Sequence, residues 1–113
     1  MIKIITLSED DILFDEEAAG KVLEKAARRL KPVRFTGVCP IGGQILFVFN
    51  ECPADEDDSS ARFVFSKLPS RDFSEVSAVF LSRYTGGFDT LGTFFIGDDL
   101  WGLFKRLPDH ARP

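Results

Sequence analysis

Apolar and polar positions alternate along this chain with two different periods. Residues 2–7 (Ile-Lys-Ile-Ile-Thr-Leu) are largely β-branched and stop at the polar run Ser8-Glu9-Asp10-Asp11, which predicts a strand. Over residues 15–30 the period lengthens, with Ala19, Val22, Leu23, Ala26 and Leu30 recurring at three- and four-residue spacing. Asp15, Glu16 and Glu17 load the start of this segment, Arg28 and Arg29 its end, and Pro32 follows, so it predicts a helix. Residues 33–39 and 44–50 then predict two strands around Gly42-Gly43, a two-residue hairpin turn. The order is one β-α-β-β unit.

The second half repeats that order. Residues 62–66 (Arg-Phe-Val-Phe-Ser) predict a leading strand. Asp72 and Glu75 have the spacing of a capping box that opens a helix to Tyr84, with Phe73, Val76, Phe80 and Tyr84 along one face. Gly86-Gly87 supplies the stop, and residues 88–96 and 99–107 predict a hairpin around Gly97-Asp98, a type I′ pair. Shifted by 55 positions, residues 37–53 align with 92–108 without a gap. Five pairs are identical: Gly37/Gly92, Ile41/Ile96, Gly42/Gly97, Phe49/Phe104 and Pro53/Pro108. Glycine recurs at the turn and proline at the exit, where the backbone needs them, so the alignment predicts an internal duplication.

The expected fold is therefore α+β: a duplicated β-α-β-β unit forming a mainly antiparallel sheet of about six strands, with two helices packed on one face. One domain holds unit one (1–53), an acidic linker (54–61), unit two (62–108) and a tail (109–113). The strand residues 45–49 (Ile-Leu-Phe-Val-Phe) and 100–104 (Leu-Trp-Gly-Leu-Phe) are apolar on both sides. Two helices cover one face, so something must cover the other. A second copy, closure of the sheet into a barrel or a ligand-lined cleft would serve; the expectation is a homo-oligomer, a dimer foremost, or pairing with another protein, with Phe94, Phe95 and Ile96 as interface residues.

Composition narrows the classes. The chain has 113 residues, 14 Lys plus Arg against 18 Asp plus Glu, and a net charge of −4, the opposite of a nucleic-acid footprint. No apolar run approaches the roughly 20 residues of a membrane span, and no signal-peptide pattern opens the chain, which points to the cytoplasm. Cys39 and Cys52 lie too far apart along the first hairpin to bridge, so both are expected as free thiols.

Candidate chemistry is sparse. His110 is the single histidine and sits in the tail, which leaves no Ser-His-Asp or Cys-His arrangement and no histidine metal site. The acids at 55–58 lack the glycine and the twelfth-position acid of a calcium loop and read as a solvated run. The glycine pairs fit neither phosphate-loop nor dinucleotide patterns, so no cofactor is expected. Lys21, Lys25, Arg28 and Arg29 read as the solvent face of the first helix. If a small-molecule pocket exists, its place is the seam between the units, with Tyr84 or Trp101 as a wall and Arg83 as an anion partner; the competing account makes Trp101 core and Arg83 a surface ion pair.

The stretch Thr90-Leu-Gly-Thr-Phe-Phe-Ile-Gly-Asp-Asp-Leu-Trp-Gly-Leu-Phe-Lys-Arg106 has a strand, a glycine turn and an apolar strand ending in Phe-Lys-Arg. With the preceding helix it resembles small bacterial β-α-β-β domains of unknown function. The resemblance implies a bacterial cytosolic protein and transfers no catalytic residue. Together these features favour a non-enzymatic interaction or assembly module. A sensor-like domain or minor enzyme with a pocket between the units is the first alternative. The second is an acidic inhibitor, akin to an immunity protein, that shields a basic partner through residues 9–11 and 55–58.

Overall fold

The computed structural model describes residues 1–109 and 112 of the chain; His110 lies outside them. Six strands and three helices follow in the order β1 (Ile2–Ser8), α1 (Glu9–Phe14), α2 (Glu16–Arg28), β2 (Val33–Ile41), β3 (Gln44–Glu51), β4 (Phe63–Lys67), α3 (Phe73–Thr85), β5 (Phe88–Ile96) and β6 (Asp99–Arg106). The strands form two antiparallel three-stranded sheets, ordered β1-β3-β2 and β4-β6-β5, rather than the single six-stranded sheet expected. Each half thus inserts its third strand between the first two.

Turn chemistry fixes both hairpins. Gly42 and Gly43 take φ of 57° and 84°, the pair of positive values that a type I′ turn demands. In the second hairpin only Gly97 is positive, at 60°, so Asp98 does not complete a type I′ turn. One positive φ at the first turn position is the type II′ pattern. Both hairpins carry a register break, between Phe35 and Gly37 in one and between Thr90 and Gly92 in the other, again 55 positions apart.

The sheets approach each other along β2 and β5, where Val38 fills the space a side chain at Gly92 would need. On the far side α2 lies between β1 and β4. Phe47 and Phe49 meet Phe65 and Phe63 across the gap at ring distances of 5.6 and 6.4 Å, and Ala19, Leu23 and Ala27 of α2 join the same core. The helix comes so close to β4 that a Cβ on Gly20 would sit 2.7 Å from the Phe63 carbonyl oxygen. In contrast α3 lies outside the second sheet, where Phe80 packs on Phe104 at 6.2 Å and no residue of the helix is buried. The two helices therefore do not share one face: the sheets cover each other with α2 between them, and α3 covers the outer side of the second sheet alone.

Two further elements depart from the sequence reading. The polar run after β1 is not a loop: Ser8 caps α1 by accepting from the Asp11 N–H at 3.1 Å, and Ile12 is fully buried. The acidic stretch is not a solvated run either. A 3-10 turn at Ala54–Glu56 leads into Asp57, which accepts hydrogen bonds from Val33 N (2.8 Å), Ser59 N (3.0 Å) and Ser59 Oγ (2.6 Å). Asp58 accepts from Phe35 N at 2.9 Å and pairs with Lys105 at 2.9 Å. These carboxylates take up donors on the free edge of β2 that would otherwise lack partners.

Candidate functional site

Antiparallel pairing decides which side chains share a face. In the second sheet Phe63, Phe65, Phe94, Ile96, Trp101 and Leu103 point at the first sheet, and none is more than 6% exposed. Phe94 and Ile96, expected at an interface, are therefore inside the protein's own core. Phe95 turns outward, 47% exposed, with the Arg71 guanidinium 4.9 Å from its ring centre. Trp101 is core too, and its Nε1 is buried with no hydrogen-bond partner among the described residues.

The matching face of the first sheet has a different fate. Register places Ile2, Ile4, Cys39, Ile41, Leu46 and Val48 where the second sheet has Phe63, Phe65, Phe94, Ile96, Trp101 and Leu103. Here the face is open, with Ile2 61%, Ile4 55% and Ile41 59% exposed and Leu46 and Val48 half-buried. The signal in the sequence was the two-sided apolar strand at 45–49; the first strand's share of the face was not read from it.

The seam between the halves does contain a cleft, of about 460 Å³, bounded by α2, β4 and the last turn of α3. Arg83 lines it, donating from Nη2 to Ser66 Oγ at 2.8 Å, with its guanidinium 5.1 Å from the Phe104 ring centre. Arg62 and Arg106 line it as well, and Arg106 stacks over Phe88 at 5.3 Å. Tyr84 and Trp101, expected as walls, are not among the lining residues. Arg62 and Arg106 were missed because they are distant in sequence. The β4–β6 ladder brings them together, with Arg106 N donating to Arg62 O at 2.9 Å.

A third surface lies at α1 and α2. Phe14 is 92% exposed, and Leu13 and Val22 are exposed beside it; Asp10, Asp11 and Asp15 border a groove that Leu7, Phe14 and Val22 line. Of the basic residues on α2, Lys21 pairs with Glu17 at 3.7 Å and Arg28 with Glu24 at 4.0 Å.

Cys39 and Cys52 are both free thiols. Burial, and then the charges of Asp57, Glu56 and Asp58, push the Cys52 thiol up from its ordinary value. For Asp57, burial pushes the carboxyl up, but the hydrogen bonds from Ser59 and Val33 outweigh it and hold the group below the usual carboxylate range. Among the described residues no three His, Cys, Asp or Glu side chains are placed to hold a metal ion, and no helix is long and apolar enough to cross a membrane. The chain matches no family model, no curated protein and no solved structure.

Proposed function

We propose that the chain is a non-enzymatic association module that pairs with a second copy through the open face of its first sheet. The observation that carries this reading is the matched pair of faces: the same register positions are core in the second sheet and bare in the first. The outward positions from Ile2 to Thr6, Gln44 to Asn50 and Gly37 to Ile41 hold no charged residue. A chain with net charge −4 repels its own copy, and an uncharged face is where that repulsion is weakest. Three strands about 4.8 Å apart and eight residues long at about 3.3 Å each give a footprint of roughly 380 Å². With side chains standing out, two such faces bury on the order of 1,000 Å², the lower bound for a specific interface. The shared strand order, and register breaks and turn glycines 55 positions apart, support reading the halves as copies of one β-α-β-β unit. That is also the unit the bacterial domains resembled by sequence contain.

Solution mass tests the reading. Light scattering or sedimentation should give twice 12.6 kDa. Ile4→Lys should return the chain to a monomer with the unfolding midpoint of the parent at dilutions where it is dissociated, because Ile4 already faces water within one protomer. Cys39, on the same face, should be alkylated more slowly as concentration rises. A mass of one chain at about 100 μM, with Cys39 equally reactive at every concentration, would sink it.

The acid-bordered apolar groove at α1 and α2 favours a second reading, an inhibitor-like role toward a basic partner. Asp57 and Asp58 are engaged within the fold, so residues 9–11 rather than 55–58 bear this reading. An amphipathic Lys/Leu peptide should bind, and Glu9→Gln with Asp10→Asn should weaken it; unchanged affinity would end the idea.

A further inference from the structure

Eight of the 14 lysines and arginines have a carboxylate within 4.0 Å among the described residues. Of the remaining six, Arg62, Arg83 and Arg106 line the cleft at the seam, and Arg62 and Arg106 also border a second cleft lined by Asp57, Asp58 and Asp109. Two of the seam cleft's acids have partners of their own: Glu17 pairs with Lys21, also in the lining, and Glu24 accepts the Phe63 N–H at 2.9 Å and pairs with Arg28. Glu16 stands exposed and without an ion-pair partner among the described residues. The three guanidinium groups share the cleft with three carboxylates, two of them already paired with other cations, so guanidinium N–H groups are left that an anion can engage.

Two of the three are held ready. Arg83 and Arg106 each lie over a phenylalanine ring, which occupies the face of the guanidinium and leaves its edge N–H groups to donate. Ser66 accepts from Arg83, so its own hydroxyl hydrogen is free to donate. β4 pairs with one neighbour only, and ladder alternation turns the Phe65 N–H to the same side as that of Phe63, toward the cleft. Val64 and Phe88 give the same cleft an apolar wall. At about 460 Å³ it is of the size that encloses a small organic molecule.

We propose that this cleft binds a small organic oxyanion, a phosphate monoester or carboxylate with a flat apolar body, through Arg62, Arg83 and Arg106. The anion sits among the guanidinium edges and the Ser66 hydroxyl, and the apolar body lies against Val64 and Phe88. The site is formed within one protomer and does not depend on self-pairing through the first sheet.

Titration calorimetry with phenyl phosphate, benzoate, inorganic phosphate and phenol tests it, with amide chemical shifts to locate the ligand. Phenyl phosphate or benzoate, whichever oxyanion geometry the cleft prefers, should bind and shift amides of β4 and the end of α3. Phenol should bind at least about tenfold more weakly, as should inorganic phosphate, which lacks the apolar body. Arg83→Gln should weaken binding about tenfold or more, and raising salt should weaken it further. Arg62→Gln, at an exposed residue, is the second variant should Arg83→Gln fail to fold. Equal binding of phenol and the anions, shifts away from β4, or unchanged affinity in the folded variant would overturn the proposal.

Discussion

Replacing Gly20 by alanine tests how α2 is seated. Inside a helix that change normally stabilises by about 1 kcal/mol, because alanine loses less backbone entropy. Here the new Cβ would stand 2.7 Å from the Phe63 carbonyl oxygen, a backbone atom that cannot rotate away. To reach ordinary contact, α2 must retreat from β4 by about 0.7 Å. Retreat stretches the 2.9 Å hydrogen bond from Phe63 N to Glu24 and loosens Leu23 and Ala27 against the core. Overpacking of this kind costs about 1–3 kcal/mol, which exceeds the propensity gain. The net expectation is a loss of about 1 kcal/mol, or about 4 °C in Tm for 113 residues. Urea unfolding, with the slope unchanged, is the assay. Ala18→Gly, exposed on the same helix, should lose about 0.5–1 kcal/mol from propensity alone and calibrates the host. A Gly20→Ala protein more stable than the parent would refute the close approach of α2 to β4.

Three other outcomes follow from the same contacts. Asp57 has a lower pKa folded than unfolded, so its contribution is complete above the unfolded carboxylate range and fades as pH falls through the folded value. Asp57→Asn should therefore cost about 1–3 kcal/mol at pH 7, with the gap to the parent closing toward pH 3 in urea titrations. Asp72→Ala removes the acceptor for Glu75 N at 3.1 Å, should cost about 1 kcal/mol, and should speed hydrogen exchange in α3 before any change in β3 or β6. In dilute protein at pH 8, Cys52 should react with iodoacetamide more slowly than exposed Cys39, and Asp57→Asn should narrow the difference.

What was legible in the sequence was what is local. Gly42-Gly43 and Gly97 set the turns, and their registers place Cys39 opposite Leu46 and Phe94 opposite Trp101, as counting outward from each turn requires. The division into two sheets was not legible, because nothing in a hairpin says which neighbour its free edge takes. That is decided by long-range contacts such as Val38 against Gly92 and by Asp57 and Asp58 on the edge of β2. Helix α1 was hidden for another reason: Ser8-Glu9-Asp10-Asp11 looks like a polar boundary, yet its first and last members are a capping box. Arg83 could be placed at the seam from its position at the end of a helix. Arg62 and Arg106 could not, since only the β4–β6 pairing makes them neighbours.

The two matched faces differ in residue type as well as in exposure. Where the second sheet is covered it has Phe63, Phe65, Phe94 and Trp101, rings that bury about 150–250 Å² each. At the same register positions the bare face of the first sheet has Ile2, Ile4, Cys39 and Leu46. Smaller apolar groups lower the cost of standing in water and also lower the gain on being covered, at about 25 cal/mol per Å². A face meant for permanent burial favours rings, whereas one that meets water in the free protomer favours side chains of this intermediate size. The chemistry of the bare face therefore fits an interface that forms and separates with concentration. Cys39→Phe with Leu46→Trp, which copies the covered face onto the bare one, should tighten self-association by at least tenfold in sedimentation experiments. If those substitutions lower solubility without shifting the monomer–dimer equilibrium, the face is not an interface between two copies.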